Sequence, residues 1–438
     1  MGSTRPKRIL LLNPPVYDIR LDWGKWHQPC GLLKLGSQLR ARGHDARLID
    51  GLHVSGTRVL RTKHDSWEVS GTKIDRWQFG LSWEQFERRV RELTKQQWKP
   101  HAIYVTCMMT FWWESARDLV AKLDDWLPGV PIWLGGVYPK YASSHAKEHF
   151  ETVHFDQGIG LNAKHSTTNL DLYSTYPPFA GISIQGCTSE RIVRDIERKL
   201  EGGTREFAFF DEEIGPRNVD RFVETLEELV RKGLRPRMLA LGNISPQIFD
   251  RSTVKLMRKA GYRQIFLRDD NPFRVGMNGD LSIYERAVSN LFRYAGYRPR
   301  TDEVTAMVVV GVPGENLVDV VERLVRLSHI VGSVNVVPFQ PTPGTKSYEL
   351  GRTYLDKIPL ERMNGKLFPL AKVNGHAWSD YEDLLRLARL LNSKYRSKTF
   401  DFLAEGGISG MVRQSIAKDG WKPISKPLRV SHPSNWDV

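Results

Sequence analysis

The sequence predicts an α/β protein of two domains in which strands and helices alternate. Short apolar runs of strand length recur along the chain, and most precede a stretch with apolar residues at helical spacing. The length of 438 residues exceeds what one hydrophobic core usually organises. Hydrophobic residues make up 40% of the chain, and this fraction is enough to fill such cores, so we expect a globular protein.

Residues 1–150 are expected to form a Rossmann-like, doubly wound parallel sheet. The apolar run at 7–12 ends at Asn13-Pro14-Pro15, the pattern of a buried parallel strand that runs into a loop. A helix at 31–42 and a strand at 46–49 complete a βαβ unit, whereas the polar residues 52–80 are predicted to be an irregular insertion. The later elements are helices at 83–97 and through residue 127, and strands at 102–107 and 131–134.

Residues 179–345 are expected to form a partial, TIM-like (β/α)6 barrel after a linker at 151–178. Six βα units in series suit such a barrel, whose active site would lie at the carboxyl ends of the strands. The predicted strands are 181–185, 206–210, 237–241, 264–267, 303–310 and 333–338, and the predicted helices are 188–201, 217–232, 250–260, 282–295 and 316–331. Residues 346–438 are read as a C-terminal extension with a helix at 379–397 and a basic, extended tail at 420–438.

Charge and cysteine content restrict the function classes. The formal net charge of +14 favours an anionic partner, but the basic residues are scattered and form no run of five, so a nucleic-acid partner is not expected. The three cysteines, Cys30, Cys107 and Cys187, form neither a disulfide framework nor a CxxC knuckle, which is typical of a reducing cytoplasm. No apolar stretch reaches the roughly 18 residues of a membrane span. We therefore expect a cytoplasmic protein.

Several short motifs occur in a characteristic order along both domains. They are NPP at 13–15, the stretch from Gln28 to Asp50, VTCMMT at 105–110, LGGVYP at 134–139, FFDEE at 209–213, GVPGE at 311–315 and PTPGT at 341–345. In this order the motifs resemble the cobalamin (B12)-binding radical SAM family of class B type. The resemblance covers about residues 7–395 and implies a cobalamin-binding first domain and a radical SAM-type partial barrel.

The resemblance implies a cobalamin site at the strand ends of the first domain. Cobalamin needs a flat apolar floor, a slot for its nucleotide tail and backbone donors for its amides, and glycines let the backbone approach closely. The expected cofactor-binding residues are Asn13, Pro14, Pro15, Thr106, Met108, Thr110, Gly135, Gly136 and Val137. The competing interpretation is a Rossmann-like domain that binds nothing and only packs.

The cluster motif of the family, CxxxCxxC after the first barrel strand, is reduced here to Cys187. The residues that follow, Thr188, Ser189 and Glu190, cannot replace soft thiolates at that spacing. No 4Fe-4S cluster is therefore expected, SAM binding is doubtful, and no metal ligand is assigned. Cys187 itself is interpreted either as a remnant with some remaining role or as a small buried residue.

Asp211 and Glu212 are the catalytic candidates. They match an acidic pair that lies near SAM in the family, and charge at a strand end inside a barrel needs a partner. The alternative for the carboxylates at 211–213 is an ion pair with Arg217 or Arg237. The next strand ends in Arg268-Asp269-Asp270, where the family tends to carry a small residue and a glutamate, and this change also argues against a SAM pocket.

No DxHxxG signature provides a histidine ligand for cobalt. The histidine at position 53 has the wrong spacing, and His27 is the nearest alternative ligand, although a loop histidine beside Trp26 is more often structural. The aromatic group at 111–113 either faces a ligand or belongs to the core, and Trp23 and Trp26 lie in a loop where aromatic residues often mark a binding surface.

These observations favour a degenerate family member that holds cobalamin without an iron-sulfur cluster, as a non-catalytic partner of an intact radical SAM paralogue or another protein. The alternative is a cobalamin-dependent methyltransferase with polar, non-radical chemistry acting on a small-molecule methyl acceptor, in which Asp211 or Glu212 orients a substrate. A third alternative is a protein that binds nucleic acid or another anion. Whether the chain is an enzyme stays open.

Overall fold

The computed structural model describes residues 6–21, 28–52, 59–69, 71–95, 97–155, 167–211, 213–268, 282–298, 301–331 and 333–393. The chain divides into two compact units. Unit 1 comprises Met1–Phe207 and Gln340–Leu367, and unit 2 comprises Ala208–Phe339 and Phe368–Val438.

Strands and helices alternate along most of the chain, as the sequence predicts. The strands are β1 Arg8–Asn13, β2 Val16–Asp18, β3 Asp45–Asp50, β4 Arg61–Val69, β5 Thr72–Phe79, β6 Ala102–Cys107, β7 Ile132–Gly136, β8 His154–Phe155, β9 Phe179–Ile182, β10 Glu206–Phe209, β11 Arg237–Leu241, β12 Tyr262–Arg268, β13 Val304–Val310 and β14 Val334–Pro338. The α-helices are α1 Cys30–Ala41, α2 Trp83–Lys95, α3 Trp113–Trp126, α4 Val137–Tyr141, α5 Ser143–His149, α6 Ser189–Glu201, α7 Val219–Arg231, α8 Arg251–Lys259, α9 Ser282–Ala295, α10 Leu317–Ile330, α11 Lys346–Leu355 and α12 Trp378–Asn392.

The first sheet has five parallel strands in the order β3-β1-β6-β7-β8. Its apolar strands are buried, and Leu11 and Leu12 of β1 are fully shielded from solvent. From β1 the chain continues to β3 on one side and to β6 on the other, so the strand order reverses between β1 and β6. In open parallel sheets, ligands bind outside the carboxyl ends of the strands at such a reversal.

The segment predicted as an irregular insertion, 52–80, instead contributes a β-hairpin to an antiparallel sheet of order β2-β5-β4. The prediction was wrong because charged and aromatic side chains, not an apolar alternation, stabilise these strands. The guanidinium of Arg76 on β5 lies 4.2 Å from the ring centroid of Trp67 and bonds Asp65, both on β4, and it pairs with Glu114 of α3.

The second sheet has six strands in the sequential order β14-β13-β12-β11-β10-β9. The pairs among β11, β12, β13 and β14 are parallel. All six strands and the helices that separate them lie within a few residues of their predicted positions. The protein is therefore a mixed α/β protein with parallel sheets.

The remaining predicted segments are partly described. Residues 167–178 include the short helix Leu170–Leu172, and Leu170 is fully buried. The predicted helix at 379–397 corresponds to α12, and the tail at 420–438 lies outside the described residues. Among the residues that the structure describes, no helix is long and apolar enough to cross a membrane.

Candidate functional site at the carboxyl ends of the first sheet

A buried polar hub surrounds Asp18 of β2, the short strand that follows β1. The carboxylate accepts hydrogen bonds from Trp112 Nε1 at 3.0 Å, from Asn364 Nδ2 at 2.9 Å and from Lys366 Nζ at 3.0 Å. The Asp18 side chain is 0% exposed and that of Lys366 is 6% exposed. These bonds join β2, which follows β1, to the short helix that follows β6 and to residues 364–366.

The residues predicted for cofactor binding after β1 lie inside the protein. Asn13 is 1% exposed, and its Nδ2 donates to Asp50 Oδ1 at 2.7 Å. Pro14 and Pro15 are buried as well. In this conformation, these three residues belong to the protein interior at the end of β1.

The predicted residues after β6 and β7 lie side by side, because Thr106 pairs with Gly135 and Cys107 pairs with Gly136 in register. Thr106 and Thr110 are buried, Met108 and Gly135 are partly exposed, and Gly136 and Val137 are exposed. Met109, which the sequence analysis did not assign to the site, is also exposed.

Gly136 allows this close approach of β6 and β7. Its φ of +101° is one that residues with a side chain rarely adopt, and a Cβ there would lie 2.5 Å from the main-chain oxygen of Cys107. Met109 and Val137 flank this glycine, and each is 37% exposed. The two strand ends therefore present apolar side chains beside accessible main chain.

The aromatic group that follows β6 belongs to the core. Phe111, Trp112 and Trp113 are 6%, 3% and 5% exposed. Because the rings are covered by neighbouring protein, they form the inner support of the site and leave Met109 as its outer apolar side chain.

Two histidines near this edge were missed by the sequence analysis. His145 and His149 of α5 stack with ring centroids 4.1 Å apart, and both lie edge-on to Trp113. His145 Nδ1 bonds the Tyr138 hydroxyl at 2.9 Å. Burial, and next the neighbouring His149, lower the pKa of His145, which favours a neutral ring. The signal that could have found them is the i, i+4 spacing in HAKEH.

The cysteines are buried or partly buried free thiols. Burial raises the pKa of the Cys30 thiol to about 12 and raises that of Cys107 as well, so both are protonated at neutral pH. Cys187 is 5% exposed, and α6 begins two residues later at Ser189. The described residues contain no group of three His, Cys, Asp or Glu side chains that could hold a metal ion.

The catalytic candidates in unit 2 are only partly described. Asp211 is 5% exposed, and Asn243 Nδ2 donates to its main-chain oxygen at 2.9 Å. Glu213 lies 3.8 Å from Arg217 in an exposed ion pair. Arg268 is partly exposed at the end of β12. The other predicted residues lie outside the described residues: Glu212, Asp269, Asp270, Trp23, Trp26, His27 and His53.

A second buried carboxylate lies after β13 in unit 2. Glu315 Oε2 accepts from the main-chain nitrogen of Gly311 at 2.7 Å, and Tyr381 of α12 donates to the same carboxyl group. Burial raises the pKa of Glu315 to about 7, although these hydrogen bonds lower it in part. Glu315 therefore closes the GVPGE turn against α12 and titrates near neutral pH.

Comparison with known proteins finds structural similarity at low sequence identity. No family model matches the sequence, and no curated protein matches it. The chain is similar to a structure of the apo, selenomethionine-labelled cobalamin-dependent S-adenosylmethionine radical enzyme OxsB, with a TM-score of 0.39 and 11% sequence identity. The similarity covers 92% of this chain and 62% of that enzyme, so the chain spans less than two thirds of its length.

Proposed function

We propose that the protein binds cobalamin at the carboxyl ends of β6 and β7 and holds it without an iron-sulfur cluster, as a non-catalytic partner protein. The observation that carries the proposal is the exposure of Met109 and Val137 on adjacent strand ends. The described residues leave only seven large apolar side chains exposed, and two of them flank Gly136. Exposed apolar side chains gathered at one place mark a binding surface.

The residues present fit one face of a corrin ring. Met109 and Val137 would supply an apolar floor, and Gly136, which has no side chain and is exposed, would let the ring approach the strand end closely. Thr106 and Thr110 are buried beneath this floor and would hold its shape. When bound, cobalamin supplies a cobalt centre that can carry an alkyl group.

The sequence supports a role without radical chemistry. A 4Fe-4S cluster needs thiolate ligands, and CxxxCxxC is absent from the chain. Between the end of β9 at Ile182 and the start of α6 at Ser189 lie only six residues, 183–188, and one of them is cysteine. We infer that the chain positions the cofactor for another protein, such as an intact radical SAM paralogue.

The experiment measures hydroxocobalamin affinity for two matched valine variants. Val137 is 37% exposed at the proposed site, and Val373 is 41% exposed in unit 2. A Val137→Lys variant places a charged amine against the corrin and should weaken binding by about tenfold, which corresponds to about 1.4 kcal/mol. Val373→Lys should bind as the wild type does. Equal affinity of all three proteins, or no binding by any of them, would overturn the proposal.

A further inference from the structure

A cavity of about 400 Å³ opens at the outer edge of the first sheet, beside β3. This volume lies at the lower end of the range for small-molecule sites. Its charged lining residues are three arginines, Arg40 of α1, Arg47 of β3 and Arg89 of α2, and two aspartates, Asp50 and Asp171. The Arg47 guanidinium lies over the Trp98 ring and pairs with Asp45.

The Arg40 guanidinium has more N–H groups than the hydrogen bonds it donates. Its Nε and one terminal nitrogen bond the main-chain oxygen of Ala46 at 3.2 and 3.0 Å, and its other terminal nitrogen bonds that of Asp171 at 3.1 Å. A guanidinium carries five N–H groups, so these three bonds leave two N–H groups for a further acceptor. The two acceptors of these three bonds, the Ala46 and Asp171 main-chain oxygens, are neutral carbonyl oxygens, and they hold the planar fork in place.

The carboxylates of the cavity bond other partners. Asp50 accepts from Asn13 and from Tyr173 Oη at 2.7 Å, and Asp171 pairs with Arg198 at 3.2 Å and bonds Tyr176. Neither carboxylate forms a hydrogen bond to the Arg40 guanidinium among these contacts. The positive charge of Arg40 is therefore held next to the cavity without a carboxylate in contact, and an anionic ligand would supply the missing acceptor.

The rest of the wall consists of apolar and aromatic residues and one polar residue, Ser174. Leu48 of β3, Leu93 of α2 and Leu172 line the cavity together with Tyr173. Burial raises the pKa of the Tyr173 phenol well above its ordinary value, so the ring stays uncharged. A ligand that fits these walls carries an anionic group at one end and a small organic group at the other.

We propose that this cavity binds a small organic phosphate, with the phosphoryl group on Arg40 and Arg89 and the organic group against Leu48, Leu93 and Tyr173. Phosphate oxygens match the planar donor fork of arginine, which supports phosphate as the anion. The cavity differs from the proposed cobalamin site in its elements, since it lies on α1, α2 and the outer edge of β3.

The test uses phenyl phosphate as the probe and phenol as its uncharged counterpart, in calorimetric titrations at about 0.15 M salt to suppress long-range electrostatics. Arg89→Ala removes an exposed arginine side chain of a residue that lines the cavity. The control, Arg88→Ala, removes the exposed arginine side chain directly before it on the same helix, and Arg88 does not line the cavity. Arg40→Lys keeps the charge of Arg40 but removes its planar fork.

We expect saturable binding of phenyl phosphate and none of phenol. Arg89→Ala and Arg40→Lys should each weaken phenyl phosphate binding by about tenfold, and Arg88→Ala should change it less than about twofold. Thermal melts of each variant check that it is folded. The proposal is overturned if the folded wild type shows no saturable binding, or if Arg88→Ala and Arg89→Ala weaken it equally, because the attraction would then be diffuse.

Discussion

The two parallel sheets differ in how the chain leaves the carboxyl ends of their strands. After β6 and β7 in unit 1, the chain exposes Met109 and Val137 beside the main chain of Gly136. After β13 in unit 2, the chain turns back on itself, because Glu315 bonds the Gly311 nitrogen and Asn374 Nδ2 bonds the Val312 oxygen at 2.9 Å. The first edge leaves apolar side chains exposed, whereas polar groups of the turn after β13 bond one another.

The buried carboxylates at the two edges show the same difference. Both edges carry buried carboxylates, Asp18 in unit 1 and Glu315 in unit 2, but Asp18 bonds a buried lysine while Glu315 bonds neutral donors. The ion pair belongs to a hub that also bonds Trp112 after β6, and the carboxyl group after β13 closes a turn. Variants of each edge therefore test the comparison separately.

The largest effect is expected from Lys366→Met, which removes the cation that pairs with Asp18 in the buried hub. Breaking a buried ion pair from one side leaves an uncompensated charge, here that of Asp18, and costs about 4 kcal/mol of unfolding free energy. Lys357→Met, at an exposed lysine of the same segment, is the control and should change stability by less than about 0.5 kcal/mol. Urea unfolding of both variants measures the difference. Similar midpoints would mean that this ion pair does not stabilise the fold.

The next effect concerns the closed turn and its dependence on pH. The pKa of Glu315 is raised in the folded state from 4.5 to about 7, so the folded protein binds this proton more tightly than the unfolded chain does. Its contribution to stability is complete below pH 4.5 and falls as the pH rises to about 7, by about 3 kcal/mol.

Unfolding free energies measured across this pH range test that loss. Glu315→Gln carries no titrating proton and should lose this part of the pH dependence, whereas Glu322→Gln, at an exposed position of α10, should keep it. A Glu315→Gln protein with the wild-type slope would contradict the assignment of this titration to the turn after β13.

A smaller effect is expected from Gly136→Ala at the open edge. Both Gly136 and Gly129 have positive φ, but only at Gly136 would a Cβ meet another group, the Cys107 oxygen at 2.5 Å, since Gly129 has open space. Gly129→Ala should cost about 1 kcal/mol from backbone strain alone. Gly136→Ala should cost about 1 to 2 kcal/mol more and lower hydroxocobalamin affinity. If the two variants melt alike, β6 and β7 do not need this close approach.

Sequence patterns predicted the parallel strands well, for a physical reason. Strands buried on both faces must be apolar along their whole length, so runs such as residues 7–12 and 303–310 stand out in the sequence. The hairpin of β4 and β5 was missed because its stability comes from Arg76 and its aromatic and acidic partners. Such pairs leave no periodic apolar signal.

The candidate site could be predicted only in its location. The order of the strand-end loops predicted which residues meet after β6 and β7, but not which of them are exposed. Met109, directly before the short helix Thr110–Trp112, is exposed, whereas Met108 is only partly exposed. The Asp18–Lys366 pair joins residues 348 positions apart, and no local pattern signals a contact at that separation.

The central claim is that the first unit holds cobalamin while the chain assembles no iron-sulfur cluster. Its most direct test is one ultraviolet-visible spectrum of protein purified without oxygen, incubated with hydroxocobalamin and desalted, with iron quantified in the same sample. The account predicts retained corrinoid at about one equivalent without iron. A spectrum without corrinoid would contradict the account and leave the first sheet as a scaffold, and a stoichiometric iron content would contradict the loss of the cluster.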